Sequence, residues 1–479
     1  MTMTTECPTF AASTAAPDAA RRGRVWKGQP PTPRLESKPP RGSYLAMAAA
    51  MSMIAGGALA MSYLDNGPSP AVESVAVEDL SLGSLYHVVD QIGARSLWDQ
   101  GYTGSGVNVA VIDTGVAAVD ALTAPGKLVA AVDLSSEQSD PSSAYLDSFG
   151  HGTHIAGIIA GRQPGADATL ADEHPEWFMG VAPDAGIVSV KVAARDGQVS
   201  LDSLITGIDW VVAHADELDI RVVNLAFNGN TGESYLADPI AAAVERAWNA
   251  GIVVVTAAGN SGPEAGGLGS PATDPFVIAV GGVEVTETGV VTPTWASSSD
   301  GIRNPDFAAP GAHIESLRAP GSYADLEHPE GFVDDERFLA SGSSQSAAVT
   351  AGAVALLLDA RPGLSPDEVK QILTASVAPF SEADPTTVGA GTLDVAAARE
   401  RWRSLHARAQ AFEHEQLPRI DRLVAGALAA YRGGEASAHE LSDAYQQLAS
   451  AALEHLELRF LSRLAELDWR RVTGRGSQQ

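Results

Sequence analysis

The chain is nearly without cysteine: Cys7 stands alone among 479 residues. No disulfide framework can form, so stability outside a reducing compartment has to come from core packing or bound metal. Cys7 lies too early, and in too polar a setting, to read as a lipid-attachment site. Positive charge is also short, with 31 Lys and Arg against 59 Asp and Glu and a net charge of −28. The acid excess lies between the N-terminal tail and the last eighty or so residues. That argues against a nucleic-acid or anionic-membrane surface on the main domain. Apolar residues are plentiful at 45%, enough to bury the core of one large domain with extensions.

Residues 1–43 are rich in Pro, Ala, Arg and Thr and carry no periodicity, so a disordered basic tail is expected. Residues 44–64 carry no charge and are long enough to span a bilayer, with basic residues on the N-terminal side. They read as a transmembrane signal anchor or a signal peptide; Ala58-Leu59-Ala60 resembles a cleavage site. Either way the rest of the chain is expected to be exported. Residues 65–80, with Gly67-Pro68-Ser69-Pro70, form an extended linker.

From residue 81 strands and helices alternate. Apolar strands are expected at 107–112, 187–192, 221–227, 252–257 and 276–280. Helical patterns follow His151 and Ser344 and cover 201–212, 240–249 and 369–378. Continuously apolar strands alternating with helices predict an α/β fold with a doubly wound parallel sheet flanked by helices, spanning 81–397. Such sheets gather reacting groups at the carboxyl ends of their strands, where Asp113 and Asn260 fall. Residues 398–479 change character, with little Gly, mixed charges and a 3.6-residue period. Ile420, Leu423, Val424, Leu428 and Tyr431 form one stripe, and Leu441, Tyr445, Leu448, Leu456, Leu464 and Leu467 a second beyond Gly433-Gly434. A C-terminal α-helical hairpin is expected, whose apolar face packs on its own chain or docks a protein partner.

Three segments fit one chemistry. Asp113 ends a strand, His151 opens a helix, and Ser344 follows the turn at Gly342-Ser343 and opens another. A hydroxyl is a poor nucleophile unless a base takes its proton, and the base needs an acceptor that holds its tautomer. Asn260 can offer an amide donor to a developing oxyanion, together with the Ser344 N–H. His154, one turn beyond His151, has no second spaced ligand that would make a zinc site, so a packed helix histidine is expected.

With these residues in view, the chain resembles the subtilisin-like serine proteases (subtilases). The matching segments are Val109-Ala110-Val111-Ile112-Asp113-Thr114-Gly115, His151-Gly152-Thr153-His154-Ile155-Ala156-Gly157 and Gly342-Ser343-Ser344. Gly180-Val181-Ala182-Pro183-Asp184-Ala185, Ala257-Ala258-Gly259-Asn260 and Phe307-Ala308-Ala309-Pro310-Gly311 support them. The resemblance covers roughly residues 85–396. It implies a serine endopeptidase acting on polypeptides through an acyl-enzyme. Asp113 would orient the imidazole, His151 act as base then acid, Ser344 attack, and Asn260 polarise the carbonyl. It implies no cofactor for catalysis and makes structural calcium plausible, though no ligand spacing fixes a site.

The sequence departs from the family's pattern in several places. Beyond Ser344 the run reads Gln345-Ser346-Ala347-Ala348, without the usual proline and with Gln345 in place of an apolar residue. The substrate-lining segment reads Ala226-Phe227-Asn228-Gly229, where backbone pairing with an extended peptide can persist. The loop 321–338 holds six acids, Asp325, Glu327, Glu330, Asp334, Asp335 and Glu336, and is expected to rim the cleft and favour basic peptides. About twenty residues separate the apolar span from the resemblance, too few for a folding propeptide, so the hairpin is expected to assist folding unless the domain folds unaided. Two other readings are a catalytically silent binding module on this fold and a narrow-specificity processing protease with a docked partner.

Overall fold

A computed structural model describes residues 76–450, apart from 139–140, 228, 230–233, 264–266, 299–302, 381–383 and scattered positions between 412 and 449. The tail, the apolar span at 44–64, most of the linker and the part of the second C-terminal stripe beyond 450 lie outside the described residues. Among the described residues no helix is long and apolar enough to cross a membrane.

The centre is a parallel sheet built from β1 (Asn108–Asp113), β2 (Leu128–Asp133), β3 (Gly186–Lys191), β4 (Ile220–Leu225), β5 (Val253–Ala257) and β6 (Ile278–Thr286). Their order is β2-β3-β1-β4-β5-β6. β7 (Gly289–Val291) turns back antiparallel on the far end of β6, and β8 (Phe307–Pro310) adds a parallel strand to its near end. β9 (Ile314–Leu317) and β10 (Arg337–Ala340) make a separate antiparallel pair. The central strands are buried on both faces: Val109, Ala110, Val111 and Ile112 of β1 expose nothing. Their unbroken apolar runs follow from having helices above and below.

Helix α1 is Leu85–Gln91, α2 is His151–Ala160, α3 is Leu201–His214 and α4 is Pro239–Asn249. Helix α5 is Ser343–Ala360, followed by α6 (Pro366–Thr374), α7 (Val395–Ala411) and α8 (Leu417–Gly433). α2 packs on α5 in one layer, and α3 on α4 in a second. α5 is buried on every side except at Asp359, as its all-round small and apolar composition requires. Asp359 faces out and caps the backbone N–H groups of Thr103, Gly104 and Ser105.

From β1 the chain first fills one side of the sheet with β2 and β3, then crosses to β4 on the other. The order reverses between β1 and β4, the position where open α/β sheets form a crevice. The doubly wound sheet expected from sequence is present, with a mixed edge. At the C-terminus, α7 starts inside the domain: Val395 and Ala398 are buried, and Arg361 stacks on Trp402 at 3.7 Å. The sequence boundary at 397/398 therefore runs through one helix. The first stripe lies on α8, where Leu423 and Tyr431 remain exposed.

Candidate active site

Asp113 is the last residue of β1 and is fully buried. Its Oδ1 accepts from the Thr114 N–H at 2.7 Å. His151 begins α2, and its Nδ1 lies 2.8 Å from Asp113 Oδ1 and 3.0 Å from Oδ2. That contact fixes the tautomer, with Nδ1–H on the carboxylate and Nε2 left as the basic nitrogen. Burial alone lowers the imidazole's proton affinity; the charge and hydrogen bond of Asp113, with Asp147 adding to them, carry it above the ordinary histidine value. The close approach of α2 to β1 depends on Gly152, where a Cβ would stand 2.1 Å from the Gly115 carbonyl oxygen.

A second buried carboxylate holds this corner together. Asp147 Oδ1 accepts from Thr114 Oγ1 at 2.8 Å and from the Gly150 N–H at 2.7 Å. Its Oδ2 accepts from the Thr153 N–H at 2.8 Å and Thr153 Oγ1 at 2.7 Å. Thr114 and Thr153 in turn accept from the backbone of Gly152 and Ala117. Burial pushes the Asp147 carboxyl up, and its four donors pull the other way. Sequence reasoning missed Asp147 and Thr114. The available signal was a carboxylate four residues ahead of His151, placed where it can satisfy a helix's first N–H groups.

Ser344 lies in the first turn of α5, is 2% exposed, and its hydroxyl donates to the Ala226 carbonyl at 3.2 Å. Ala226 follows β4 directly, and Ile112 of β1 pairs with Leu225 of β4. Neighbouring strands stand about 5 Å apart. Strand register therefore sets the acceptor of the Ser344 hydroxyl one strand away from the carboxylate that holds His151. Asn260 lies three residues past β5. Its Oδ1 accepts from both the N–H and the Oγ of Ser343, each at 2.8 Å, and Ser343 Oγ accepts from the Gly259 N–H. This arrangement occupies the amide's oxygen and leaves Nδ2 as the end available to a ligand. The helix N-terminus beside it favours negative charge.

Of the segment expected to line the substrate, Ala226 and Phe227 are buried, and Asn228 lies outside the described residues. Gly229 exchanges both of its backbone hydrogen bonds with Ser270. His154 is a packed residue as expected, donating from Nε2 to the Phe338 carbonyl, and burial, with His151 nearby, pushes it down to about 4.

The loop between β9 and β10 docks on the His151 corner. Tyr323 and Ala324 donate their N–H groups to the carbonyls of Ser148 and Phe149, and Tyr323 stacks on Phe149. Two of its six acids are spent internally: Asp325 pairs with Arg318 and Asp334 with Arg337. The Arg318 contact holds the Asp325 carboxyl below the usual range. Among the described residues Glu327, Asp335 and Glu336 form no side-chain ion pair, and Glu330 meets only the His328 ring, at 3.5 Å. Among the described residues, no group of three or more His, Cys, Asp or Glu is disposed to hold a metal ion. In the segment 164–179, Asp172 pairs with Arg95 and Asp167 accepts from the Thr169 N–H. The side chains of the described residues thus offer no carboxylate cluster for a calcium ion.

The sequence model of the subtilase family matches residues 104–397. Serine protease AprX of Bacillus subtilis (strain 168) is 35% identical over 307 residues, covering 62% of this chain and 66% of AprX. Subtilisin E of the same organism is 31% identical over 320 residues, 66% of this chain and 72% of that protein. Subtilisin DY of Bacillus licheniformis is 30% identical over 311 residues, covering 64% of this chain and 96% of its own. The chain thus spans just under two thirds of AprX and most of subtilisin DY. With the Asp113–His151 contact at the sheet's reversal point and a family match over more than half its length, this chain belongs to the subtilase family of serine-type endopeptidases.

Proposed function

We propose that the chain hydrolyses peptide bonds by acyl transfer to Ser344. The observation that carries this reading is the pairing of His151 Nδ1 with both oxygens of Asp113 at the end of β1, one strand from the Ala226 carbonyl that receives the Ser344 hydroxyl. His151 Nε2 takes the Oγ proton as Oγ attacks the scissile carbonyl. The oxyanion is met by Asn260 Nδ2 and the Ser344 N–H at the start of α5. The imidazolium then gives its proton to the leaving amine as the C–N bond breaks, and a serine ester remains. Water, deprotonated by the same nitrogen, attacks the ester, and the proton returns to Ser344. Asp113 keeps its charge throughout and stabilises the imidazolium.

The substrate is an extended polypeptide lying past Ala226 and Phe227. The acids of the 321–338 loop that have no arginine partner favour basic segments. The protein is exported, tethered by residues 44–64 or released after cleavage there, and the exposed stripe of α8 is a face for a protein partner. The chemistry requires no cofactor. Peptide hydrolysis by the full chain and by Ser344→Ala tests the assignment. Loss of turnover by several orders of magnitude in the folded variant is expected; unchanged turnover would refute it. The same assay on Asn260→Ala is expected to show kcat down about 10²–10³-fold, a magnitude borrowed from subtilisin's own oxyanion asparagine.

A further inference from the structure

Gln345, immediately after Ser344, is 1% exposed, yet neither its Oε1 nor its Nε2 has a hydrogen-bond partner among the described residues. A buried, unpaired amide is costly and rare, and this one sits beside the proposed nucleophile. Its direction is informative. A Cβ placed on Gly342 would lie 2.9 Å from Gln345 Oε1 and 3.0 Å from Asn260 Nδ2, so the two side-chain amides border the same small space beside Gly342, no more than about 6 Å apart. Gly342 has φ 162°, extended backbone open to any residue. A side chain there would crowd these two amides, whatever the backbone angle allows.

Asn260 is held at its other end. Ser343 occupies Oδ1 twice, which fixes the plane of the amide and the direction of Nδ2. Nδ2 carries two N–H groups, and only one can point at an oxyanion. We propose that Gln345 is a positioning residue for this donor: its Oε1 accepts the second N–H of Asn260 Nδ2 when the first is directed at the reacting carbonyl. A small rotation of the Gln345 amide closes the contact. Bound substrate excludes water from Nδ2, which raises the cost of leaving both amides unpaired and drives the closure. The result is a chain Ser343–Asn260–Gln345 that clamps the oxyanion donor from both sides. An apolar residue at 345 could not complete it. The inference rests on the oxyanion role proposed for Asn260.

The test is a double-mutant cycle in the full chain, with Gln345→Met, Asn260→Ala and the pair, reading kcat, KM and Tm on one peptide substrate. Methionine matches glutamine in length without its polar ends; Gln345→Leu replaces it if the methionine variant does not fold. Gln345→Met is expected to lower kcat about three- to tenfold, the worth of one neutral hydrogen bond, with KM within about twofold. Its Tm should hold or rise, because an unpaired buried amide has been removed. In the Asn260→Ala background the same change should alter kcat by less than about 1.5-fold. Unchanged kcat in the Gln345→Met single variant, or an equal loss in both backgrounds, overturns the proposal. If Asn260→Ala alone leaves kcat intact, the oxyanion assignment itself has failed, and the cycle tells the two failures apart.

Discussion

Replacing Asp147 with alanine tests how the Asp113–His151 corner is held. Four donors converge on this carboxylate: Thr114 Oγ1, the Gly150 N–H, the Thr153 N–H and Thr153 Oγ1. The hydroxyls can rotate to other acceptors. The two backbone N–H groups cannot, and each buried donor left unpaired costs about 1–3 kcal/mol. Removing a carboxyl whose proton affinity is raised by burial returns part of that loss. A net destabilisation of about 3 kcal/mol follows, or roughly 6 °C in Tm at about 2 °C per kcal/mol for a domain of this size. The second consequence is kinetic. Asp147 adds to the field that holds His151 above its ordinary value, so the rising limb of kcat/KM against pH should move to lower pH in Asp147→Ala. Thermal unfolding and a pH–rate profile on the same sample check both. A Tm within about 1 °C of the parent and a superimposable pH profile would refute the reasoning.

Other outcomes follow from the same geometry. Gly152→Ala sets a Cβ 2.1 Å from the Gly115 carbonyl and 3.1 Å from Asp113 Cβ, so both Tm and kcat should fall, with full activity contradicting the described approach of α2. Asp113→Asn removes the charge that raises His151. It should cut kcat by about 10⁴, a magnitude known from other serine proteases, while its residual activity titrates at lower pH. His154 has a folded value of about 4 against 6.5 unfolded, so the unfolded chain binds more protons between those pH values. Its contribution is whole above pH 6.5 and is lost as pH falls towards 4. His154→Gln should therefore flatten the fall of urea midpoint over that range; an unchanged slope would contradict the buried neutral imidazole.

Much of this architecture was legible in the residues. β1, β3, β4 and β5 are buried on both faces, so their apolar runs announce a parallel sheet, and Asp113 and Asn260 fall at or just past strand ends. β2 escaped detection because Leu128, Ala130 and Ala131 are only half-buried and Val129 is exposed at the sheet edge. β8, β9 and β10 have four residues each, too few for a period to show. The start of α7 was hidden because charge begins at Arg399, while Val395 and Ala398 still belong to the core. At the candidate site, residue types pointed to groups that could react but not to what holds them. Asp147 acts through side-chain contacts made only after folding. Counting acids in the 321–338 loop could not reveal that Arg318 and Arg337 neutralise two of them. Gln345 looked like a simple departure from a motif until its burial and lack of partners were visible.

The central claim is that Ser344 is the nucleophile and His151 its base. Covalent labelling with a fluorophosphonate probe, located by peptide mass spectrometry, tests it most directly. The account predicts one adduct on Ser344 in the full chain, none in Ser344→Ala, and labelling slowed by orders of magnitude in His151→Ala. Peptide hydrolysis that persists with Ser344 unlabelled, or an adduct on another residue, would contradict it.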